Sequence, residues 1–318
     1  MPILDALEAL YRSRGHEILN GLPPEFSSLP YTEFTYVVSR EQRTSGALGI
    51  APSEIFVLEH VFRDWHPRTI LVIGNSFGWS TLALALLNPR ARVIALDAAL
   101  DNFTRAWVDE TNALAQAASL NVLAVAGSSP QDVPATLLND GVDTLDFVFV
   151  DGHHSNDQLV EDYTATVPFS SAGTVWLFHD VEYWDLREGV ETVRTRGNLQ
   201  AHRLLRTASG MAALLRDDAR PEVAAALRPF ELGVRSRPLL AALYADDDLD
   251  RPLPSEAAPA DADWLRDAAR AGNGRTAHLR RELAQLRNDF AVILEDRRSA
   301  QLIMEHQQRE IDTLRSRS

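Results

Sequence analysis

Two short stretches hold the residues best suited to chemistry. Asp151-Gly152-His153-His154 follows the apolar run Leu145–Val150, and His179-Asp180 follows Thr174–Phe178. Two carboxylates beside imidazoles can do two kinds of work. An imidazole titrates near neutrality and serves as a general base there. A carboxylate beside such a ring can orient it for that work. The plain structural reading is that both aspartates cap turns; their position beside histidines, each at the end of an apolar run, favours chemistry. A third stretch, Gly74-Asn75-Ser76-Phe77-Gly78-Trp79-Ser80-Thr81, offers glycines that allow a tight turn, with Ser80 as a candidate cap for the helix that follows. Its spacing is not the GxGxxG of dinucleotide dehydrogenases. Asp97, 23 residues after Gly74, stands where a carboxylate can accept hydrogen bonds from ribose hydroxyls.

Other chemistries are excluded by what the chain lacks. Its 318 residues contain no cysteine and no lysine, so all 31 cationic side chains are arginine. Thiol nucleophiles, cysteine-held metals, Schiff bases and P-loop phosphate binding are therefore ruled out. A net charge of −14 argues against a nucleic-acid partner. No apolar run approaches the ~18 residues of a membrane span, and the expected location is cytoplasmic.

The elements that must position these residues alternate between strand and helix. Apolar runs at Thr69–Ile73, Arg92–Leu96, Val122–Ala126, Leu145–Val150 and Thr174–Phe178 read as five strands. Helices are expected from near Ser80 to Pro89, from Phe103 to Ala118 and around Glu188–Arg196. Such alternation predicts an α/β, Rossmann-like, doubly wound sheet, mostly parallel. His202–Thr207 and Met211–Leu215, around Ala208-Ser209-Gly210, predict an antiparallel hairpin at one edge. Every chemistry-bearing residue then lies at a strand C-terminus, where ligands bind in open α/β sheets.

Residues 1–45 read as an N-terminal helical cap, with Ile3, Leu7, Leu10 and, less regularly, Ile18 on an amphipathic helix that ends before Pro23. A further helix with Ile55, Leu58, Phe62 and Trp65 follows Pro52 and is expected mainly to pack on the domain over residues 46–217. Residues 218–245 read as a helical extension. Residues 246–263 carry seven carboxylates against Arg251 alone, with three prolines, and read as a linker. Over 264–318 an a/d seam runs from Leu279 through Leu283, Leu286, Phe290 and Ile293 to Ile311 and Leu314, interrupted by Arg297 and Gln307. It predicts a coiled-coil helix and a homo-oligomer; one helix folded back on the body is the other reading.

TILVIGNSFGWST, RVIALD, VLAVAGSSPQD, DTLDFVFVDGHHSND and WLFHDV, in this order, resemble class I S-adenosylmethionine-dependent O-methyltransferases. The similarity is to the catechol O-methyltransferase-like branch and to bacterial small-molecule enzymes with a DGxH…FHD pattern, over roughly Ser45 to Arg216. The resemblance implies that Gly74, Asn75, Gly78 and Ser80 hold the methionine part of S-adenosylmethionine, Asp97 its ribose, and Ser128 or Ser129 its adenine edge, with Asp151 alongside. It implies a divalent metal, Mg²⁺ first, on Asp151 and Asp180, and His154 as the base where catechol-type enzymes have lysine. Val72 departs from the acidic residue many relatives carry, and Val181 stands where the family has a third oxygen ligand; His179 or Glu182 could substitute, histidine favouring a different metal or none. The expected activity is methyl transfer to a hydroxyl of a small molecule or sugar. A metal-independent methyltransferase and a non-catalytic coiled-coil scaffold are the alternatives. Trp79, Tyr183 and Trp184 are expected in loops that could line an acceptor pocket. Asp162 is expected to be a solvated or capping carboxylate.

Overall fold

The computed structural model describes residues 2–21, 33–41, 48–100 and 102–231. Met1–Leu232 clusters as one compact unit and Gly233–Ser318 as a second. The acidic linker, the coiled-coil seam and the end of the helical extension lie outside the described residues.

The chain starts with α1 (Ile3–Ser13), β1 (Glu17–Leu19), β2 (Tyr36–Val38) and α2 (Pro52–Val61). It then alternates through β3 (Thr69–Ile73), α3 (Trp79–Leu87), β4 (Arg92–Asp97), α4 (Asn102–Ala117), β5 (Val122–Ala126), α5 (Val133–Asn139), β6 (Leu145–Val150), α6 (Asn156–Thr166) and β7 (Ser170–Phe178). It closes with α7 (Arg187–Gly197), the hairpin β8 (Gln200–Leu204) and β9 (Met211–Leu215), and α8 (Pro221–Leu227). The sheet order is β5-β4-β3-β6-β7-β9-β8. The first five are mutually parallel, β9 is antiparallel to β7, and β8 is antiparallel to β9. This is the Rossmann-like sheet with an antiparallel edge that the alternating pattern predicts.

The near-continuous apolar character of the strands follows from burial on both faces. Ile70, Val72, Val93, Ala95, Phe147 and Phe149 face the core that α1, α2, α3 and α4 complete. Leu71, Ile73, Ile94, Leu96, Val148 and Val150 face the opposite core with α5, α6 and α7. Strand order reverses between β3 and β6, and in sheets of this kind the crevice at such a reversal is the ligand site. Gly74 and Asp151 stand there, on adjacent strand ends, with the Asp151 amide donating to Ile73 O at 2.8 Å.

The cap differs from expectation in one respect. Ile18 is not on the first helix; it pairs with Val37 in the β1–β2 hairpin, because α1 ends at Ser13 and Gly15 turns the chain at positive φ. Tyr11 is fully buried, and its hydroxyl donates to Phe77 O at 2.8 Å, pinning α1 to the glycine loop.

Candidate active site

Backbone bonds tie neighbouring strand ends into one rim. The Gly74 amide donates to Leu96 O at 2.9 Å, Gly127 to Asp97 O at 2.7 Å, and His179 to Val150 O at 3.0 Å. The rim therefore carries Ser128 and Ser129, Asp97, the loop from Gly74, Asp151, and His179-Asp180 in spatial order. Gly74 has φ +95°, and a Cβ there would collide with the Asp151 carbonyl. Glycine is what lets loop and cluster touch.

Asp97 closes the loop from below. One carboxylate oxygen accepts the Asn75 and Ser76 amides at 2.9 and 2.7 Å, and the other accepts the Ala99 amide at 2.8 Å. Asn75 is buried; its side-chain amide donates to Thr111 Oγ1 at 3.0 Å while its oxygen accepts from Thr81 Oγ1 at 2.9 Å. Its side chain thus ties the loop to α3 through Thr81 and to α4 through Thr111. Helix α3 is capped by Gly78 at φ +85°, not by Ser80, which sits buried in the first turn. Trp79 belongs to that helix as well. It is buried beside Tyr11, with ring centroids 5.7 Å apart, and so is not an exposed pocket residue.

Beyond β5, Ser128 donates its amide to Asp132 Oδ2 at 2.7 Å. Ser129 Oγ donates to Asp162 at 2.5 Å, and Gln158 Nε2 donates both to Asp162 at 2.7 Å and to Ser129 O at 3.0 Å. Asp162 is only 1% exposed, which corrects the expectation of a solvated carboxylate. Burial raises its pKa, with the hydrogen bonds from Ser129 and Gln158 opposing. Its place is to anchor the Ser128–Ser129 loop from beneath.

The catalytic candidates converge between β6 and β7. His154 Nε2 lies 3.4 Å from Asp151 Oδ1 and 3.2 Å from Asp180 Oδ2. His179 Nδ1 lies 3.1 Å from Asp151 Oδ1 and 3.4 Å from Asp180 Oδ1, while its Nε2 is 2.8 Å from Glu54 Oε2. Glu54 has no exposed surface, and it also accepts the Ala51 amide at 2.8 Å, the Ser209 amide at 2.9 Å and Ser209 Oγ at 2.5 Å. Asp180 is held at φ +58°, a conformation uncommon for a non-glycine residue.

Electrostatics follow from this packing. Burial would raise the Asp151 pKa, yet the nearby His179 and His154 rings outweigh it and hold the group at about 2. Burial would lower His154, but Asp151 and Asp180 keep it above the usual imidazole value. His179 is likewise held well above that value by Asp151, Glu54 and Asp180 against desolvation. Glu54 stays below the usual carboxylate range despite complete burial, through His179, Ser209 and Ala51.

An aromatic wall borders the cluster. Trp184 stacks on His154 with centroids 5.5 Å apart and planes at 12°. Tyr183 meets Trp184 edge-on at 5.9 Å, and Phe34 from the cap meets Tyr183 at 6.0 Å and His179 at 6.4 Å. Tyr183, Trp184 and Phe34 thus lie beside the cluster, whereas Trp79 takes the core-packing place that was the equal reading for it. Glu54 and Phe34 carried no sequence signal, since both lie more than 100 residues from the cluster they contact.

The donor set suits a divalent cation. One ligand atom each from Asp151, His154 and Asp180 lie within 4.8 Å of one another. Val181 is buried in the opposite core, and Glu182 is paired with Arg203, so neither supplies a third oxygen. The nitrogen in this group of donor atoms comes from His154.

Residues 71–181 match the family model described as a methyltransferase domain, a span that includes the glycine loop, Asp97, Asp151 and Asp180. No curated protein matches the chain. Among solved structures, an O-methyltransferase from Bacillus cereus in complex with SAH is 18% identical, with a TM-score of 0.45 over 67% of this chain and 91% of that one. The O-methyltransferase TomG from Streptomyces achromogenes, involved in tomaymycin synthesis and in complex with SAM, is 20% identical, with a TM-score of 0.44 over 68% and 90%.

Proposed function

We propose that this methyltransferase domain moves the methyl group of S-adenosylmethionine to a hydroxyl of a small molecule or sugar. The single observation that carries this reading is the contact between Gly74 and the Asp151 backbone. It sets a cofactor-type loop directly against a cluster of two aspartates and a histidine at the reversal point of the sheet. The rim from Asp97 to Gly78 accommodates the cofactor, with Ser128 and Ser129 at its adenine end. The acceptor hydroxyl then stands at the cluster, against Tyr183 and Trp184.

Transfer is an in-line displacement. The acceptor oxygen forms its bond to the methyl carbon as the carbon–sulfur bond breaks, the sulfonium leaves as a neutral thioether, and the hydroxyl proton goes to His154. Alignment supplies much of the rate. His154 suits the proton because Asp151 and Asp180 stabilise its imidazolium, and stacking on Trp184 fixes its plane. A second reading is favoured by the convergence of donor atoms: Asp151 and Asp180, with a nitrogen donor, would hold a divalent cation. Bound there, such a cation would lower the pKa of an acceptor hydroxyl.

The test is incubation of the full chain with methyl-labelled S-adenosylmethionine and a panel of phenolic and glycosidic hydroxyls, following thioether product and labelled acceptor. Stoichiometric appearance of both supports the reading. Binding of neither S-adenosylmethionine nor S-adenosylhomocysteine in calorimetry would leave only the scaffold alternative. The heptad seam beyond Thr276 supports a homo-oligomer through the C-terminal helix, and a loss of oligomeric mass on deleting it is the expected sign.

A further inference from the structure

We infer that Glu54 is a positioning residue: it fixes which ring nitrogen of His179 faces Asp151 and Asp180, and so makes His179 Nδ1 the nitrogen donor of the divalent-cation site. This rests on the cation reading above. Glu54 comes from α2, a cap helix whose apolar spacing otherwise explains it as packing. Yet this residue is 0% exposed and satisfied from four directions, by Ala51, His179 and both donors of Ser209.

An ionised carboxylate only accepts hydrogen bonds, so the His179 nitrogen 2.8 Å away must carry its hydrogen. Nε2 is thereby committed to Glu54 and Nδ1 to the cluster. Nδ1 is buried and, although 3.1 Å from Asp151 and 3.4 Å from Asp180, makes a proper hydrogen bond with neither. A purely structural Glu54–His179 pair would tie α2 to β7 without bringing Nδ1 near two carboxylates in that unpartnered state. A histidine that ligates a metal has this arrangement: its second nitrogen donates to a carboxylate that sets the tautomer. With the neutral ring's one hydrogen held on Nε2 by Glu54, Asp151 and Asp180 are left to balance a divalent ion. His154, the more exposed ring, remains free to take the acceptor proton. One imidazole and two carboxylates favour borderline cations such as Mn²⁺ or Co²⁺ over Mg²⁺, which prefers oxygen alone.

The experiment uses the full chain, stripped with chelator and titrated calorimetrically with MnCl₂ and, in parallel, MgCl₂. The wild type is expected to bind one Mn²⁺ at least tenfold more tightly than Mg²⁺. Glu54→Gln keeps the shape, but its amide can donate to Nε2 and move the ring hydrogen to Nδ1. It is expected to weaken Mn²⁺ by about 10- to 100-fold, with S-adenosylhomocysteine affinity close to wild type. That split is one a merely structural role does not produce. Wild-type Mn²⁺ affinity in Glu54→Gln would overturn the role of Glu54 while leaving the cation reading intact. A wild type that binds neither ion would overturn the cation reading itself, and this inference with it. Should Glu54→Gln fail to fold, His179→Gln carries the test: loss of the Mn²⁺ preference is expected, and its retention contradicts the assignment.

Discussion

Replacing Gly74 with alanine tests the closeness of loop and cluster on which the functional reading stands. Its φ of +95° is one that L side chains rarely adopt, and a Cβ would fall 2.5 Å from the Asp151 carbonyl carbon and 3.0 Å from Gly152 N. Carbon atoms rest about 3.5–4.0 Å apart, so the ends of β3 and β6 must separate by roughly 1 Å. Left-handed backbone costs about 1–2 kcal/mol for a non-glycine residue, and overpacking a close-fitted site adds about 1–3 kcal/mol. Gly74→Ala should therefore lose ~2–5 kcal/mol. Gly141 is the built-in control, since it has φ +71° with nothing within 4 Å of its would-be Cβ. Gly141→Ala should lose only the backbone share, ~1–2 kcal/mol. Urea unfolding of both variants, with calorimetry of S-adenosylhomocysteine, provides the readout. Gly74→Ala should also weaken the ligand by more than about tenfold, which is ~1.4 kcal/mol, and Gly141→Ala should not. Equal stability losses with equal ligand affinity would refute the reasoning.

His154→Ala should lower turnover by ~10²–10⁴ with cofactor affinity nearly unchanged; a change within a few-fold would place the base elsewhere. Because Asp151 and Asp180 hold His154 above the usual imidazole value, and the base must be neutral to act, the acid limb of wild-type kcat should lie above ~6.5. Prolonged chelation should abolish turnover and Mn²⁺ restore it if the cation takes part, whereas undiminished turnover assigns the proton transfer to His154 alone. Away from the site, Glu110 is raised by burial but lowered more by Arg14 and His16, to a net depressed pKa. Its folded pKa lies below its unfolded one, so it stabilises above the unfolded value and loses this as pH falls through the folded value. Glu110→Gln should flatten that part of the acid-unfolding curve.

The sheet was legible because parallel strands buried on both faces leave unbroken apolar runs, as in Thr69–Ile73. The edge hairpin was legible from Ala208-Ser209-Gly210 between two such runs, and Gly210 does take a positive φ. Asp151 follows β6 directly, and His154 and Asp180 come within four residues of a strand end, so knowing the strands places them at one edge of the sheet. What stayed hidden depends on distance along the chain. Glu54 sits in the first turn of α2, where an acid is ordinary on dipole grounds; its bond to His179 spans 125 residues. Asp162 looked solvated because nothing local shows that Ser129 and Gln158 close over it. Trp79 looked like a loop residue because the glycine before it reads as a turn, whereas Gly78 caps the helix that buries it.

Calorimetric titration of the full chain with S-adenosylhomocysteine, beside Asp97→Asn, tests the central claim most directly. Asp97 carries the glycine loop through the Asn75 and Ser76 amides and stands at the expected ribose position. One-to-one binding to the wild type, weakened at least about tenfold, or ~1.4 kcal/mol, in Asp97→Asn, is the predicted result. No binding to the wild type, or equal binding to the two proteins, would contradict it.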